Sequence, residues 1–594
     1  MSREAKAAPE AAPLALVPRD VPPRVAYQLE QAGIHPLLAR LYAARGVRDP
    51  QELNEHLQHL IPPHQLTHAD RAARLLADAI TQGRTLCVVA DYDCDGATAC
   101  AVAIRGLKML GARPQTLLYV VPDRSVHGYG LTPAIVDMAL QRYAASPPQV
   151  LITVDNGIAS LAGVAHARSL GLQVLVTDHH LPAQELPEAD VIVNPNQKQC
   201  AFPSKHLAGV GVMFYVLLAL RSELRLRGHF DEHTQPKLTE LLDLVALGTV
   251  ADVVRLDANN RRLVAQGLKR IRSGRMQAGV AALFTVAGRS PQQASAQDFG
   301  FALGPRINAA GRLSDMSLGI ECLTTDDPTR AAELAQTLDD INRERRSMED
   351  GMREQAEALM GKLDTGPDAA GAPAALSLFH PQFHEGVVGI LAGQLKDRLH
   401  RPVFVFAPGQ DGLLKGSGRS IEGFHLRDAL DLISKRHPQA LVRFGGHAMA
   451  AGCSLAPEAF ETFSQALRHV AADWLDEATL QRRLRIDGAL PPASFNADVA
   501  RLLDAQVWGQ GFEPPVFCER VQVLHQRVVG DKHLKLSVRP ADDPCAAPRE
   551  AIWFQRTQAV ADEAVLAYRV EVNEWQGRVS AQMVVVAQHT NAAP

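Results

Sequence analysis

Carboxylates recur in this chain where a cation could use them: Asp91, Asp93 and Asp95, then Asp155, then Asp178 beside His179 and His180, then Asp252. The first three stand at every second position, directly after the apolar run Leu86-Cys87-Val88-Val89-Ala90. In extended backbone alternate side chains point the same way, so three anions converge there and repel unless a cation joins them. Carboxylates with one or two imidazoles suit Mn2+, with Mg2+ as the other choice, and the lack of cysteine in the set argues against structural zinc. The donors exceed the needs of one ion. Two ions about 3.5–4 Å apart would clamp the attacking and leaving oxygens of a displacement at phosphorus, with a metal-activated water as nucleophile. Asp178 next to His179 supplies an acid that orients a ligand imidazole, and His180 a proton donor or phosphate contact.

Positioning these groups requires a sheet. Strand-like runs at 86–90, 116–121, 149–154, 173–177 and 191–195 alternate with helical patterns over 97–111, 132–145 and 160–170, which is the pattern of βαβ units around a parallel sheet. The acids fall at the carboxyl ends of these strands, where open α/β sheets bind ligands. Asp70 is placed as the cap of a helix over 71–82. Helices are expected over 209–285, including Leu244–Asp252, and one long charged helix over 327–362 joins two units. A second α/β unit covers about 375–475. Short β-prone runs across 483–592 predict a small barrel of OB type. The Ala- and Pro-rich residues 1–24 read as a loose arm. The resulting division is an N-terminal arm and helical region (1–68), the sheet domain bearing the acids (69–325), a connecting helix and linker (326–370), the second α/β domain (371–478) and the barrel (479–594).

Composition narrows the class. Hydrophobic content of 46% and charged content of 21% are those of an ordinary globular protein. A net charge of −4 means that any binding to a polyanion rests on local patches, and 5% aromatics leave few platforms for base stacking. The eight cysteines show no C-x-x-C pair, which fits reduced thiols in the cytoplasm. No leader pattern and no apolar run of membrane-spanning length is present.

The ordered motifs Asp91-Tyr-Asp-Cys-Asp-Gly96, Val154-Asp-Asn-Gly157, Asp178-His-His180 and Val250-Ala-Asp-Val-Val254 resemble the DHH phosphoesterase superfamily. Pro122-Asp-Arg124 with Gly128-Tyr-Gly-Leu131, Gly304-Pro-Arg-Ile-Asn-Ala-Ala-Gly-Arg312, Ser417-Gly-Arg-Ser420 and Gly445-Gly-His447 are similar to its single-strand-specific exonuclease branch, over about residues 30–590. The resemblance implies a DHH domain, a DHH-associated domain and an OB-like barrel, and a 5′→3′ exonuclease of single-stranded DNA that uses Mn2+ or Mg2+ in repair and recombination. It implies Asp93, Asp95, Asp155, His179 and Asp252 as metal ligands, with Asp155 between two ions. His180 would then contact the scissile phosphate or assist the leaving group, and Asp91 and Asp178 would complete the catalytic centre behind the ligands. Where some members have a histidine four residues before the first ligand, this chain has Val89.

The remaining candidates concern the substrate. Arg124 suits a phosphate and Tyr129 a base. Arg306, Asn308 and Arg312 are expected in a loop punctuated by Gly304-Pro305 and suit backbone phosphates. Ser417, Arg419 and Ser420 form a candidate clamp for a 5′-phosphate, and Gly445, Gly446 and His447 a second close approach. Arg527, Lys532, His533 and Lys535 could line the barrel's groove, whereas Trp553 and Trp575 read as core. Expected partners are single-stranded DNA, a single-strand-binding protein and a RecQ-type helicase, with the chain acting as a monomer. The alternatives are a phosphoesterase of short oligonucleotides or nucleotide bisphosphates, and a non-catalytic single-strand-binding scaffold.

Overall fold

A computed structural model describes residues 14–122, 130–360, 373–575 and 577–589. Arg124, Tyr129 and the side chain of Trp575 lie outside the described residues, as does most of the 364–374 linker.

The acids are organised by a parallel sheet of β2 (Leu86–Ala90), β3 (Leu117–Val120), β4 (Val150–Val154), β5 (Gln173–Thr177) and β6 (Val191–Val193), in the spatial order β3-β2-β4-β5-β6. Every residue of β2 and β4 is buried, which is why both read as unbroken apolar runs: helices cover the two faces of the sheet. Renumbered from its first strand, the order is 2-1-3-4-5. Connections therefore leave to opposite sides at β2 and β4, and the crevice beyond their carboxyl ends is where such a sheet takes ligands. Asp91 follows β2 and Asp155 follows β4, so the two flank that crevice.

The helix Gly304–Leu313 precedes the 33-residue helix Pro328–Met360, whose far end enters the core of the second α/β unit through Met352, Ala356 and Met360. That unit is a mixed sheet of β7 (Leu376–Phe379), β8 (Val403–Pro408), β9 (Leu414–Arg419), β10 (Arg443–Gly446) and β11 (Ala450–Leu455), ordered β10-β11-β9-β8-β7. The last five strands, β13 (Phe517–Val529), β14 (His533–Pro540), β15 (Arg549–Trp553), β16 (Glu563–Trp575) and β17 (Arg578–His589), close a barrel in the order β13-β14-β15-β17-β16. The third and fifth strands of that barrel run parallel, the arrangement of an OB-fold.

Two expectations are corrected at the N-terminus. Residues 14–18 are not loose: they form β1 (Leu14–Pro18), paired in parallel with β12 (Arg482–Ile486), and Leu14 and Leu16 pack with Leu484 on the barrel. Asp70 lies in the first turn of the helix Ala69–Thr81, whose N-cap is His68. The helix Pro36–Ala44 is joined to the segment before the barrel by Arg45, which makes a two-pronged ion pair with Asp487 at 2.8 and 3.0 Å. Rings of Tyr42, Trp508 and Phe512 pack beside it, with centroids 5.5–5.8 Å apart. Among the described residues no helix is long and apolar enough to cross a membrane.

Candidate metal centre and nucleic-acid cleft

Each acid is held where it is by a backbone reason. Asp93 caps the helix Cys94–Met109 by accepting from Gly96 N at 3.0 Å. Asp95, in the first turn, accepts from Gly209 N (2.5 Å) and Val210 N (2.9 Å), the free amides at the start of the helix Gly209–Leu226. Asp155 has a positive φ of 62°, which turns the chain sharply off β4. Asp252 ends the helix Leu242–Ala251, and Val253 after it also has positive φ, 59°. Asn156 ties the two sides of the crevice, donating to Val89 O (3.1 Å) and Val154 O (2.9 Å).

Asp178 anchors the histidine pair. One oxygen accepts from His179 N (2.7 Å), His180 N (3.1 Å) and His180 Nδ1 (2.8 Å), and the other from Ile158 N (2.9 Å). Asn194 and Asn196 hold the carbonyls of His180 and His179 at 2.9 and 2.6 Å. The sequence gives no cue to either role, although both asparagines stand at a strand end where polar chemistry gathers.

These anchors bring the distant side chains together. Ligand atoms of Asp91, Asp93 and Asp155 lie within 4.8 Å of one another, and so do those of Asp95, His179 and Asp252, and of Asp155, His179 and His180. His179 Nε2 is 3.0 Å from Asp155 Oδ1 and 3.4 Å from Asp252 Oδ2. His179 Nε2 and Asp252 Oδ2 are nonetheless buried without a hydrogen bond. Buried donors that surround a point without satisfying one another fit a cation at that point. An oxygen of Asp91 lies within 4.8 Å of oxygens of Asp93 and Asp155.

The electrostatics agree. Burial, then repulsion from neighbouring carboxylates, pushes Asp91, Asp155 and Asp252 well above the usual carboxylate range, and Asp95 up to about 7. Burial pulls His179 down to about 3, leaving it a neutral ligand. Burial also opposes charge on His180, but the hydrogen bond and charge of Asp178, with Asp91 and Asp93, outweigh it and raise His180 to about 9. At neutral pH His180 is therefore an imidazolium beside the acid cluster.

The second unit closes the other wall. His447, on the turn after β10, stacks on His180 with centroids 6.3 Å apart and planes at 19°. Burial and the His180 charge hold His447 below the usual imidazole range. Ser417 and Arg419 sit two residues apart on β9 against Gly389, in the first turn of the helix Val388–Leu399: a Cβ there would lie 3.0 Å from Arg419 Nη2 and 3.5 Å from Ser417 Oγ. Fork donors, a hydroxyl and a helix N-terminus together suit a phosphate. Gly445 and Gly446 pair with β11 in the hairpin that carries His447.

Two of the substrate assignments, Ser420 and Arg306, do not survive. Ser420 is 1% exposed, and its hydroxyl donates to Phe424 O at 2.7 Å, so it shapes the turn after β9 instead of facing a phosphate. Residues 304–313 are helix, not loop. Within it Arg306 is buried, paired with Asp339 at 2.8–2.9 Å and donating to Ala302 O at 2.6 Å. Asn308 accepts from Cys94 N at 2.7 Å. Arg312, at the helix end, reaches Gly386 O of the second unit at 3.4 Å.

On the barrel, Lys535 pairs with Glu550 at 3.0 Å, and Trp553 is half-buried under Arg556 at 4.1 Å. Phe554, which no sequence signal marks, is 51% exposed and meets the His533 ring edge-on at 5.1 Å.

Comparison with known proteins places this arrangement. Residues 85–249 match the model of the DHH family N-terminal domain, 371–473 the DHHA1 domain and 486–587 the RecJ OB domain. The single-stranded-DNA-specific exonuclease RecJ of Salmonella typhimurium is 49% identical over 560 residues, covering 93% of this chain and 96% of that one. The crystal structure of RecJ from Thermus thermophilus in complex with Mn2+ superposes with a TM-score of 0.78 at 28% identity, over 98% of this chain and 80% of that one. The Mg2+ complex from the same organism gives 0.72 at 27% identity, over 98% and 78%.

Proposed function

Because the chain belongs to the RecJ family of single-stranded-DNA-specific exonucleases, we propose that it degrades single-stranded DNA from the 5′ end to mononucleotides, with Mn2+ or Mg2+, in repair and recombination. The observation that carries the reading is the set of three donor clusters, linked through Asp155 and His179, at the sheet's switch crevice, faced by His447 and the Ser417–Arg419 pocket. Asp93, Asp95, Asp155, His179 and Asp252 would hold the ions, with Asp155 shared between them. Such ions supply Lewis acidity and a hydroxide at neutral pH.

The chain's own groups do the rest. His180, kept protonated by Asp178, offers a cation and a proton to the scissile phosphate or the departing oxygen. His447 packs on the far face of that ring and limits the cleft. Ser417 and Arg419 receive the terminal 5′-phosphate, which sets the direction of digestion. Phe554, with Trp553, Arg556 and Lys532 nearby in sequence or space, offers the barrel end of a strand a stacking surface. The barrel and the N-terminal region favour a polymer over a dinucleotide. We place the activity in the cytoplasm, where the free thiols would stay reduced, with a single-strand-binding protein and a RecQ-type helicase supplying the strand.

Digestion of 5′- and 3′-end-labelled strands, single and duplex, in Mn2+ tests this. Immediate release of labelled mononucleotide from the 5′-labelled single strand alone is expected. Earlier loss of the 3′ label, or equal attack on duplex, would sink it.

A further inference from the structure

Asn308 belongs to a motif that reads from sequence as a phosphate contact, yet its amide oxygen is already committed. Its Oδ1 accepts from Cys94 N at 2.7 Å. Cys94 is the first residue of the helix Cys94–Met109, so this amide is one of the four donors that a helix start leaves without an internal partner. Asp93, the cap, serves Gly96 N instead. An acceptor from 214 residues away thus completes the cap.

The peptide held in this way lies between the two sets of metal donors. Asp93, before it, groups with Asp91 and Asp155; Asp95, after it, groups with His179 and Asp252. A shift of Cys94 would therefore change the spacing of both sets. The helix carrying Asn308 is itself fixed. Arg306 bonds it to Asp339 of the long connecting helix and to Ala302 O. Three residues beyond Asn308, Gly311 lies so close to the loop that an added Cβ would stand 1.9 Å from Tyr92 O. Asn308 and Gly311 thus touch residues 92–94 from one side, while Arg306 secures the other.

We propose that Asn308 is a positioning residue: it holds the Asp93–Cys94–Asp95 turn in the register that lets both donor sets close on their ions, and it makes no contact with DNA. The proposal rests on the two-ion reading above. Outer groups that orient ligands are worth about 10–100-fold in metal affinity.

The test uses the full chain and Mn2+ alone, titrated calorimetrically, alongside binding of a fluorescent single strand in EDTA. Asn308→Ala is expected to weaken Mn2+ by about tenfold or more, to leave metal-free strand affinity unchanged, and to recover digestion at saturating Mn2+. Asn308→Asp keeps the acceptor oxygen and is expected to keep Mn2+ affinity. Gly311→Ala, which pushes the Tyr92 carbonyl away, is expected to reproduce the alanine phenotype, and it decides the matter if Asn308→Ala does not fold. Mn2+ binding at wild-type strength in Asn308→Ala and Gly311→Ala overturns the proposal, as does a loss of strand affinity in EDTA with Mn2+ binding intact. Wild-type protein that takes up no Mn2+ overturns the two-ion reading itself, which is a separate result.

Discussion

Two of the buried sets of titratable side chains among the described residues are built on opposite principles. Where the N-terminal helices meet the segment before the barrel, Asp487 is fully answered: Arg45 grips both oxygens, Arg19 Nε stands 3.9 Å away, and Val516 N donates at 3.0 Å. In the catalytic crevice the acids stand against one another and against a histidine that burial keeps neutral. The first set is balanced as folded and holds two parts of the chain together. The second gains its balance only from cations, so its stability is tied to its function. A buried acid with an arginine is structure; a buried acid among acids is a site.

Neutralising one acid in each set should therefore move stability in opposite directions. Asp155→Asn is expected to lower the rate of strand digestion by about three orders of magnitude or more, since the proposed reading makes Asp155 the ligand shared by both ions. In metal-free buffer the same variant should be more stable by about 1–3 kcal/mol, because one like charge leaves the cluster and asparagine tolerates the positive φ. Asp487→Asn should instead cost about 3–5 kcal/mol, leaving Arg45 buried without its counter-charge, while digestion at a permissive temperature continues. Urea unfolding in EDTA measures both. Destabilisation by Asp155→Asn, or a neutral Asp487→Asn, would break the contrast.

The contrast also explains what the sequence could convey. The acids of the crevice are legible because parallel strands buried on both faces print as apolar runs, and the residue after each run is at the ligand edge by construction. The paired set is not. Arg45 and Asp487 are 442 positions apart, and neither carries a local signal of the other. The same holds for β1, whose strand partner begins at Arg482. Arg306 misleads for a local reason. Gly304-Pro305 looks like loop punctuation, but it stands where a π-turn over Phe299–Leu303 runs into the helix, an irregularity that accommodates proline, and Asp339 is 33 residues on. For Ser420 the residue type is right for a phosphate, but the direction of its hydroxyl, toward Phe424 O, is a property of the folded turn.

A smaller effect tests whether charge in the crevice is set by partners. Asp178 is the strong hydrogen-bonding partner of His180, whose pKa is raised from an ordinary 6.5 to about 9. The sign is that of a histidine gaining a partner: this contribution to stability is complete below pH 6.5 and is lost as pH rises through about 9. The imidazolium that the proposed role of His180 calls for follows the same window. With Asp178→Asn the alkaline fall of kcat/KM is expected to move from near 9 toward the ordinary histidine range, about 6.5. An unmoved alkaline limb would mean that another group titrates there.

The smallest expected effect lies outside the crevice, at an exposed ring on the barrel, where neither principle applies. Phe554 is 51% exposed, an apolar ring that folding leaves in water, and the turn after it is held by Gln555 N donating to His533 Nδ1 at 3.1 Å, with Gln555 at a φ of 56°. Removing an exposed ring costs the fold little, so Phe554→Ala should leave unfolding almost unchanged. Strand affinity in EDTA should fall by about 1–3 kcal/mol if a base stacks there, and the loss should be the same for pyrimidine and purine strands, because every base has a face to stack. Digestion of strands too short to reach the barrel should not change. Fluorescence anisotropy with strands of graded length measures this. Equal affinity for wild type and variant at every length would remove Phe554 from the strand's path and leave binding to the phosphate contacts alone.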